Sequence, residues 1–157
     1  MYSKILVLLD GSELAECVLG HVTAIVTGCQ VSEVVLLTVV KAYEKGLSST
    51  TWGGVVSAEQ ETALAVESTV KAKDYLTQVA DKLKEEGIFV QPVVIQGRVA
   101  EGILDYAVKN QVDLIMMSTH ARSGPSRWAL GSVADRVIRH SPIPILIVSP
   151  EGCRITS

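Results

Sequence analysis

Ile5-Leu6-Val7-Leu8-Leu9 is an unbroken aliphatic run, and Asp10-Gly11-Ser12 ends it. A short apolar run bounded by turn residues reads as a strand buried on both faces, as in parallel sheets. Asp10 or Ser12 can cap a following helix. Leu14, Val18, Val22 and Ile25, with Ala15, Leu19 and Val26 beside them, then recur at helical spacing. The same unit repeats outward along the chain. Residues 34–40 form a second aliphatic run. Residues 41–56 look irregular and are rich in Gly, Ser and Thr, the mark of a functional or mobile insertion. Residues 57–86 read as a long helix with Val66, Val70, Leu76, Val79, Ala80 and Leu83 on one stripe, and Gly87 is its natural C-cap. Residues 89–95 are the third strand, in which Pro92 points to an edge position or an irregular start. Val99, Ile103, Leu104, Ala107 and Val108 mark the third helix, residues 114–117 the fourth strand, Val133, Val137 and Ile138 the fourth helix, and residues 143–148 the last strand.

Strands alternating with amphipathic helices predict right-handed crossovers and a parallel sheet. Five strands and four helices make an α/β three-layer sandwich with helices on both faces, a single domain over residues 1–150 with a short tail at 151–157. A chain of 157 residues can bury a sizeable core without disulfides. Its 48% hydrophobic and 20% charged content is globular, and with only 4% aromatics the core must be aliphatic. A net charge of -3 argues against a nucleic-acid binder, which needs clustered Lys and Arg to neutralise phosphates. No apolar run approaches a membrane span, and the chain enters a strand pattern at once, so no signal peptide is visible. Cys17, Cys29 and Cys153 are odd in number and lack C-x-x-C spacing, so neither a disulfide framework nor a zinc site is expected. Free thiols in a reducing cytoplasm are the simple reading.

In open parallel sheets a ligand sits beyond the carboxyl ends of the strands, where the strand order reverses. Two loops can meet there: Asp10-Gly11-Ser12, and the stretch from Ser118 to Ser132. The second is dominated by small and hydroxyl residues and runs into Gly131-Ser132, just before the fourth helix. A helix N-terminus presents backbone N–H groups and partial positive charge, which together favour phosphate. Gly131 lets the backbone come close, the Ser132 hydroxyl can donate, and Arg122 and Arg127 can add charge from the rim. The alternative is that Gly131-Ser132 is an ordinary helix start capped by serine.

The stretch Thr119-His120-Ala121-Arg122-Ser123-Gly124, continued by Trp128-Ala129-Leu130-Gly131-Ser132-Val133-Ala134-Asp135-Arg136-Val137, closely resembles the universal stress protein family. So do the opening Ile5 to Glu13, Gly97 before the third helix, and the close Pro142-Ile143-Pro144-Ile145-Leu146-Ile147-Val148. The resemblance covers essentially the whole chain and is nearer to the family's ATP-binding branch. It implies the strand order 3-2-1-4-5. It also implies an adenine nucleotide, ATP or AMP, with Mg2+ as a companion ion, and a regulatory role in stress response. That branch carries G-x2-G-x9-G-[ST], and the matching positions here are Ser118, Ala121, Gly131 and Ser132. The first two glycines are replaced. A Cβ there costs roughly 1–2 kcal/mol if the native φ is positive, and little otherwise. By the same resemblance Asp10 contacts the ribose, Val39 pairs the adenine through its backbone, and Gly97 matches a glycine of the third loop. The site residues it implies are Leu8, Leu9, Asp10, Val39, Gly97, Met117, Ser118, His120, Ala121, Arg122, Gly131, Ser132 and Val133. It further implies a homodimer through the last strand, residues 143–148, a hydrophobic edge that otherwise invites uncontrolled association.

A Walker loop and the dinucleotide fingerprint are both absent. A phosphoacceptor receiver needs an acidic pair after the first strand and an aspartate after the third; Asp10 and Gly97-Arg98 do not supply them. His120 beside Ser118 and Ser123 is read as a turn or hydrogen-bonding residue, since nothing in the spacing supplies an orienting acid. No catalytic residue and no metal ligand is assigned. Three functions follow: a nucleotide-binding regulatory module, a nucleotide-free dimeric interaction module of the same fold, and a slow ATPase, for which no base can be named.

Overall fold

The computed structural model describes residues 2–42, 58–119 and 130–149. Its elements are β1 Lys4–Leu8, α1 Glu13–Glu16, α2 Leu19–Cys29, β2 Glu33–Lys41, α3 Ala58–Glu85, β3 Val90–Gly97, α4 Val99–Lys109, β4 Leu114–Ser118, α5 Ser132–His140 and β5 Ile145–Val148. All four strand pairings are parallel, and the order is β3-β2-β1-β4-β5. Side chains alternate across the pleat. Ile5, Val7, Leu36 and Met116 therefore pack with Val22, Leu76, Val79 and Leu83 on one face. Leu6, Val35, Leu37 and Ile115 pack with Ile103, Ala107 and Val137 on the other. The expected three-layer α/β sandwich and its strand order are both present. The tail at 151–157, most of the irregular stretch at 41–56, and His120, Ala121 and Arg122 lie outside the described residues.

Four details depart from the expectations. The first helix is two. Cys17 and Val18 donate to Leu14 and Ala15 with three-residue spacing, which tightens the chain between α1 and α2. Apolar periodicity cannot see the break, because Ala15, Val18 and Val22 stay buried across it.

The stripe expected on α3 is buried only from Leu76 onward, whereas Val66 and Val70 are 56% and 52% exposed. A helix of 28 residues is about 42 Å long, and the nine residues of β2 span about 30 Å. Gln96 Nε2 donates to Thr69 Oγ1 at 2.9 Å, level with the carboxyl end of β3. The helix upstream of Thr69 therefore overruns the sheet. Val108 on α4 is exposed as well, as is Phe89, which precedes β3.

The last strand starts at Ile145, not Ile143. Pro142 and Pro144 have no N–H to give a ladder, and Ser141 Oγ accepts the Ile143 N–H. Finally, Cys29 is a free thiol but Cys17 is disulfide-bonded, against the expectation of free thiols throughout. An odd count requires one unpaired cysteine and does not forbid a bridge.

Other local signals hold. Gly87 has φ +82, and the Ile88 N–H donates to Leu83 O while the Gly87 N–H donates to Lys84 O. This is the paired C-terminal motif that a left-handed residue permits. Pro92 lies on β3, which pairs only with β2 at the sheet edge.

Asp113 clamps the start of β1: its Oδ2 accepts both the Ser3 and Lys4 N–H groups at 2.8 Å. Those bonds, Lys4 first, hold its carboxyl below the usual carboxylate range. A depressed folded-state value means the contribution is present above the unfolded value, about pH 4, and is lost as pH falls through the folded one. Urea midpoints followed downward from pH 7 should therefore drop faster below about pH 4 for the native chain than for Asp113→Asn. Parallel pH curves would contradict this.

Candidate functional site

The strand order reverses at β1, since β2 lies to one side and β4 to the other. The carboxyl ends of β1 and β4 must then diverge toward crossovers on opposite faces, which opens a crevice between them. A cavity of about 690 Å³ lies there. Leu8, Leu9 and Asp10 line it from β1, Val39 from β2, Met117 and Ser118 from β4, and Gly131, Ser132 and Val133 from the start of α5. These expected site residues come together although they are separated by up to 125 positions, from Leu8 to Val133. Gly97 does not line the cavity: it ends β3 opposite Lys41, with φ +153, a conformation that favours glycine.

Leu14, Ala15, Leu37, Val99 and Ile103 also line the cavity and were not anticipated as site residues. Their only sequence signal is apolar periodicity, which the core explains equally well. Val99 and Ile103 stand four apart on α4, so they share one face.

The two polar segments of the lining are built differently. In the segment after β1, the Leu9 N–H donates to Leu37 O at 3.0 Å and Thr38 Oγ1 donates to Leu9 O at 2.8 Å. Both main-chain groups just before Asp10 are thus fixed. Gly11 then turns the chain with φ +85. Asp10 Oδ1 accepts the Ser12 N–H at 2.9 Å and the Ser12 hydroxyl at 2.6 Å, and Ser12 Oγ accepts the Ala15 N–H at 3.1 Å. Of the two candidate caps, Ser12 caps α1 and Asp10 braces the cap. Behind this turn the Tyr75 hydroxyl donates to Glu16 Oε1 at 3.1 Å. Burial, then the Glu16 and Asp10 carboxylates, push the Tyr75 phenol up, so it stays a donor across the ordinary pH range.

In the other segment, α5 begins at Ser132, and its N-cap is Gly131 with φ -56 and ψ 154. As a glycine, this N-cap has no side chain with which to cap the helix. The reading of Ser132 as an ordinary serine cap is therefore corrected: Ser132 sits one position too far along to bond its own first turn. Gly131, Ser132 and Val133 line the cavity, so the start of α5 brings its partial positive charge to the cavity wall. Gly131 has an unexceptional φ, and a Cβ built on it meets none of the described residues within 4 Å. Its lack of a side chain keeps the space before the helix open.

Among the described non-glycine residues with positive φ are only Gln30 and Gln111, so Ser118 carries no left-handed strain. Serine in place of glycine costs nothing in backbone terms there. Among the described residues no group of three His, Cys, Asp or Glu side chains could hold a metal ion, and no helix is long and apolar enough to cross a membrane.

The family model described as the universal stress protein family matches residues 1–149. The chain belongs to the universal stress protein family. Universal stress protein MJ0577 of Methanocaldococcus jannaschii is 34% identical over 155 residues, covering 94% of this chain and 95% of that one. The solved structure of MJ0577 superposes with a TM-score of 0.76, at 33% identity over 95% of this chain and 96% of that chain. Universal stress protein UspA from Lactobacillus plantarum has a TM-score of 0.75 at 22% identity, covering 93% and 97% of the two chains. A family member from Arabidopsis thaliana, solved with AMP bound, has a TM-score of 0.63 at 15% identity, covering 94% and 91%. The last two likenesses establish the universal stress protein fold.

Proposed function

We propose that this universal stress protein binds an adenine nucleotide, ATP or AMP, in the cavity between β1 and β4, and acts as a regulatory protein whose nucleotide occupancy changes its partner affinity or dimer state in stress response. The observation that carries this reading is the polarised cavity. The start of α5, with glycine as its N-cap, and the braced Asp10 carboxylate both line it, together with aliphatic side chains from β1, β2, β4 and α4. Its volume of about 690 Å³ suits a nucleotide-sized ligand. The AMP held by the Arabidopsis family member supports the choice of adenine.

In this reading the N–H groups at the start of α5 and the Ser132 hydroxyl receive the phosphates, and Asp10 accepts from the ribose hydroxyls. Leu8, Leu9, Val39, Met117 and Val133 enclose the base and sugar. Ser118 adds a hydroxyl; Gly97, His120, Ala121 and Arg122 enter only through the family resemblance, Gly97 standing outside the cavity lining and the other three outside the described residues. Mg2+ would travel with the phosphates of ATP. The protein works in the cytoplasm, where such nucleotides are abundant. It pairs with a second copy through β5, an edge strand on which Ile147 is 36% exposed.

Mass spectrometry of the purified, denatured protein, followed by calorimetric titration with ATP and Mg2+, tests the binding. A bound adenine nucleotide or a measurable affinity is expected. No carried nucleotide together with no heat at millimolar ATP would overturn the reading.

A further inference from the structure

One wall of the cavity is set by a residue that does not line it. Gly102 lies on α4 between Val99 and Ile103, and both of those side chains face the cavity. Glycine inside a helix forgoes stability relative to alanine, so a packing reason is to be sought. It is found on the sheet. A Cβ on Gly102 would stand 3.2 Å from Ile95 Cδ1 and 3.3 Å from Val39 Cγ1. Ile95 and Val39 are register partners on β3 and β2, so α4 rests its one bare position on that pair. Val39 also lines the cavity.

We propose that Gly102 is a positioning residue for nucleobase recognition: by letting α4 lie directly on the Val39–Ile95 pair, it sets the width of the base-binding end of the cavity. The inference rests on the proposed nucleotide reading. A methyl group at position 102 has two outlets. Either Val39 rotates or shifts, or α4 lifts and carries Val99 and Ile103 with it. Both move a cavity wall by a few tenths of an ångström, and interiors packed to crystal density transmit such shifts. A shift of Val39 leaves α5 in place, whereas a lift of α4 also reaches α5, which packs against it and is tied to it by the Arg136–Glu101 ion pair. The side chains displaced in the cavity wall are Val39, or Val99 and Ile103, so the effect falls first on the base of an adenine nucleotide.

The test is a double-mutant cycle of Gly102→Ala, Val39→Ala and the pair, each titrated with ATP by calorimetry and each melted without ligand. Gly102→Ala is expected to bind ATP about fivefold more weakly while melting within a few degrees of the native chain. Val39→Ala in the Gly102→Ala background removes the two Val39 methyl groups at 3.3 and 3.7 Å and leaves only Ile95 Cδ1 against the new Cβ. The pair should therefore bind ATP better than the sum of the single changes predicts, a coupling that loss of stability alone would not produce. If Gly102→Ala binds ATP like the native chain, or if the two changes add without coupling, the inference fails while the nucleotide reading stands. A native chain that does not bind ATP overturns both.

Discussion

Replacing Gly131 with valine is expected to weaken nucleotide binding about a hundredfold or more while leaving the protein folded. The backbone at Gly131, φ -56 and ψ 154, is open to any L-residue, and a Cβ there meets no atom of the described residues within 4 Å. The structural cost is limited to exchanging a tolerated N-cap for a poor one, about 1 kcal/mol at most. That corresponds to a fall in melting midpoint of about 2–4 °C for a domain of this size. The ligand meets a different situation. The branched side chain occupies the space before the α5 N-terminus and separates the phosphates from the N–H groups. Each charge-assisted hydrogen bond lost is worth about 1.5–3 kcal/mol, so two of them account for the hundredfold. Calorimetry with ATP and a thermal melt of the same sample separate the two effects. A valine variant that binds ATP like the native chain would show that the phosphates do not sit at α5.

The largest effect on stability is expected at Leu36. It is fully buried on β2, which is flanked by β1 and β3, and it packs in the cluster beneath α2 and α3. Leu36→Ala should cost about 3–4 kcal/mol, the transfer term plus the cavity left in a core that cannot collapse around it. The melting midpoint should fall by about 8 °C or more. Val66→Ala on α3, a position equally apolar in sequence, should change stability by less than about 0.5 kcal/mol, because Val66 is mostly exposed already. Urea unfolding of both variants checks the contrast. Similar losses at the two positions would mean that the upstream half of α3 packs against something the isolated chain does not show.

Leu36 and Val66 also mark how far the chain could be read. The aliphatic runs of β1, β2 and β4 were legible because strands covered on both faces admit little else. The turn at Asp10, the C-cap at Gly87 and the edge position of Pro92 were legible because each rests on local backbone chemistry. Val66 and Val70 were placed in the core stripe because periodicity reports which face of a helix is apolar, not how far the sheet extends beneath it. The break between α1 and α2 was invisible for a similar reason, since the buried face runs straight through it. At the candidate site, Asp10, Gly131 and Ser132 were legible as loop chemistry and were sharpened by family spacing. Leu37, Val99 and Ile103 were not, because an aliphatic residue in a core and one in a cavity wall look alike.

The sequence by itself determined the α/β class, the parallel habit, the turn residues and the family, all of which depend on neighbours along the chain. Only the tertiary structure decided that Ser118 sits in ordinary backbone, that Gly131 is the N-cap of α5, and that Gly102 rests on Val39 and Ile95. Those facts depend on φ angles and on distances between residues remote in the chain. The free energy that fixes them comes from packing of the whole sandwich rather than from any one segment's preference.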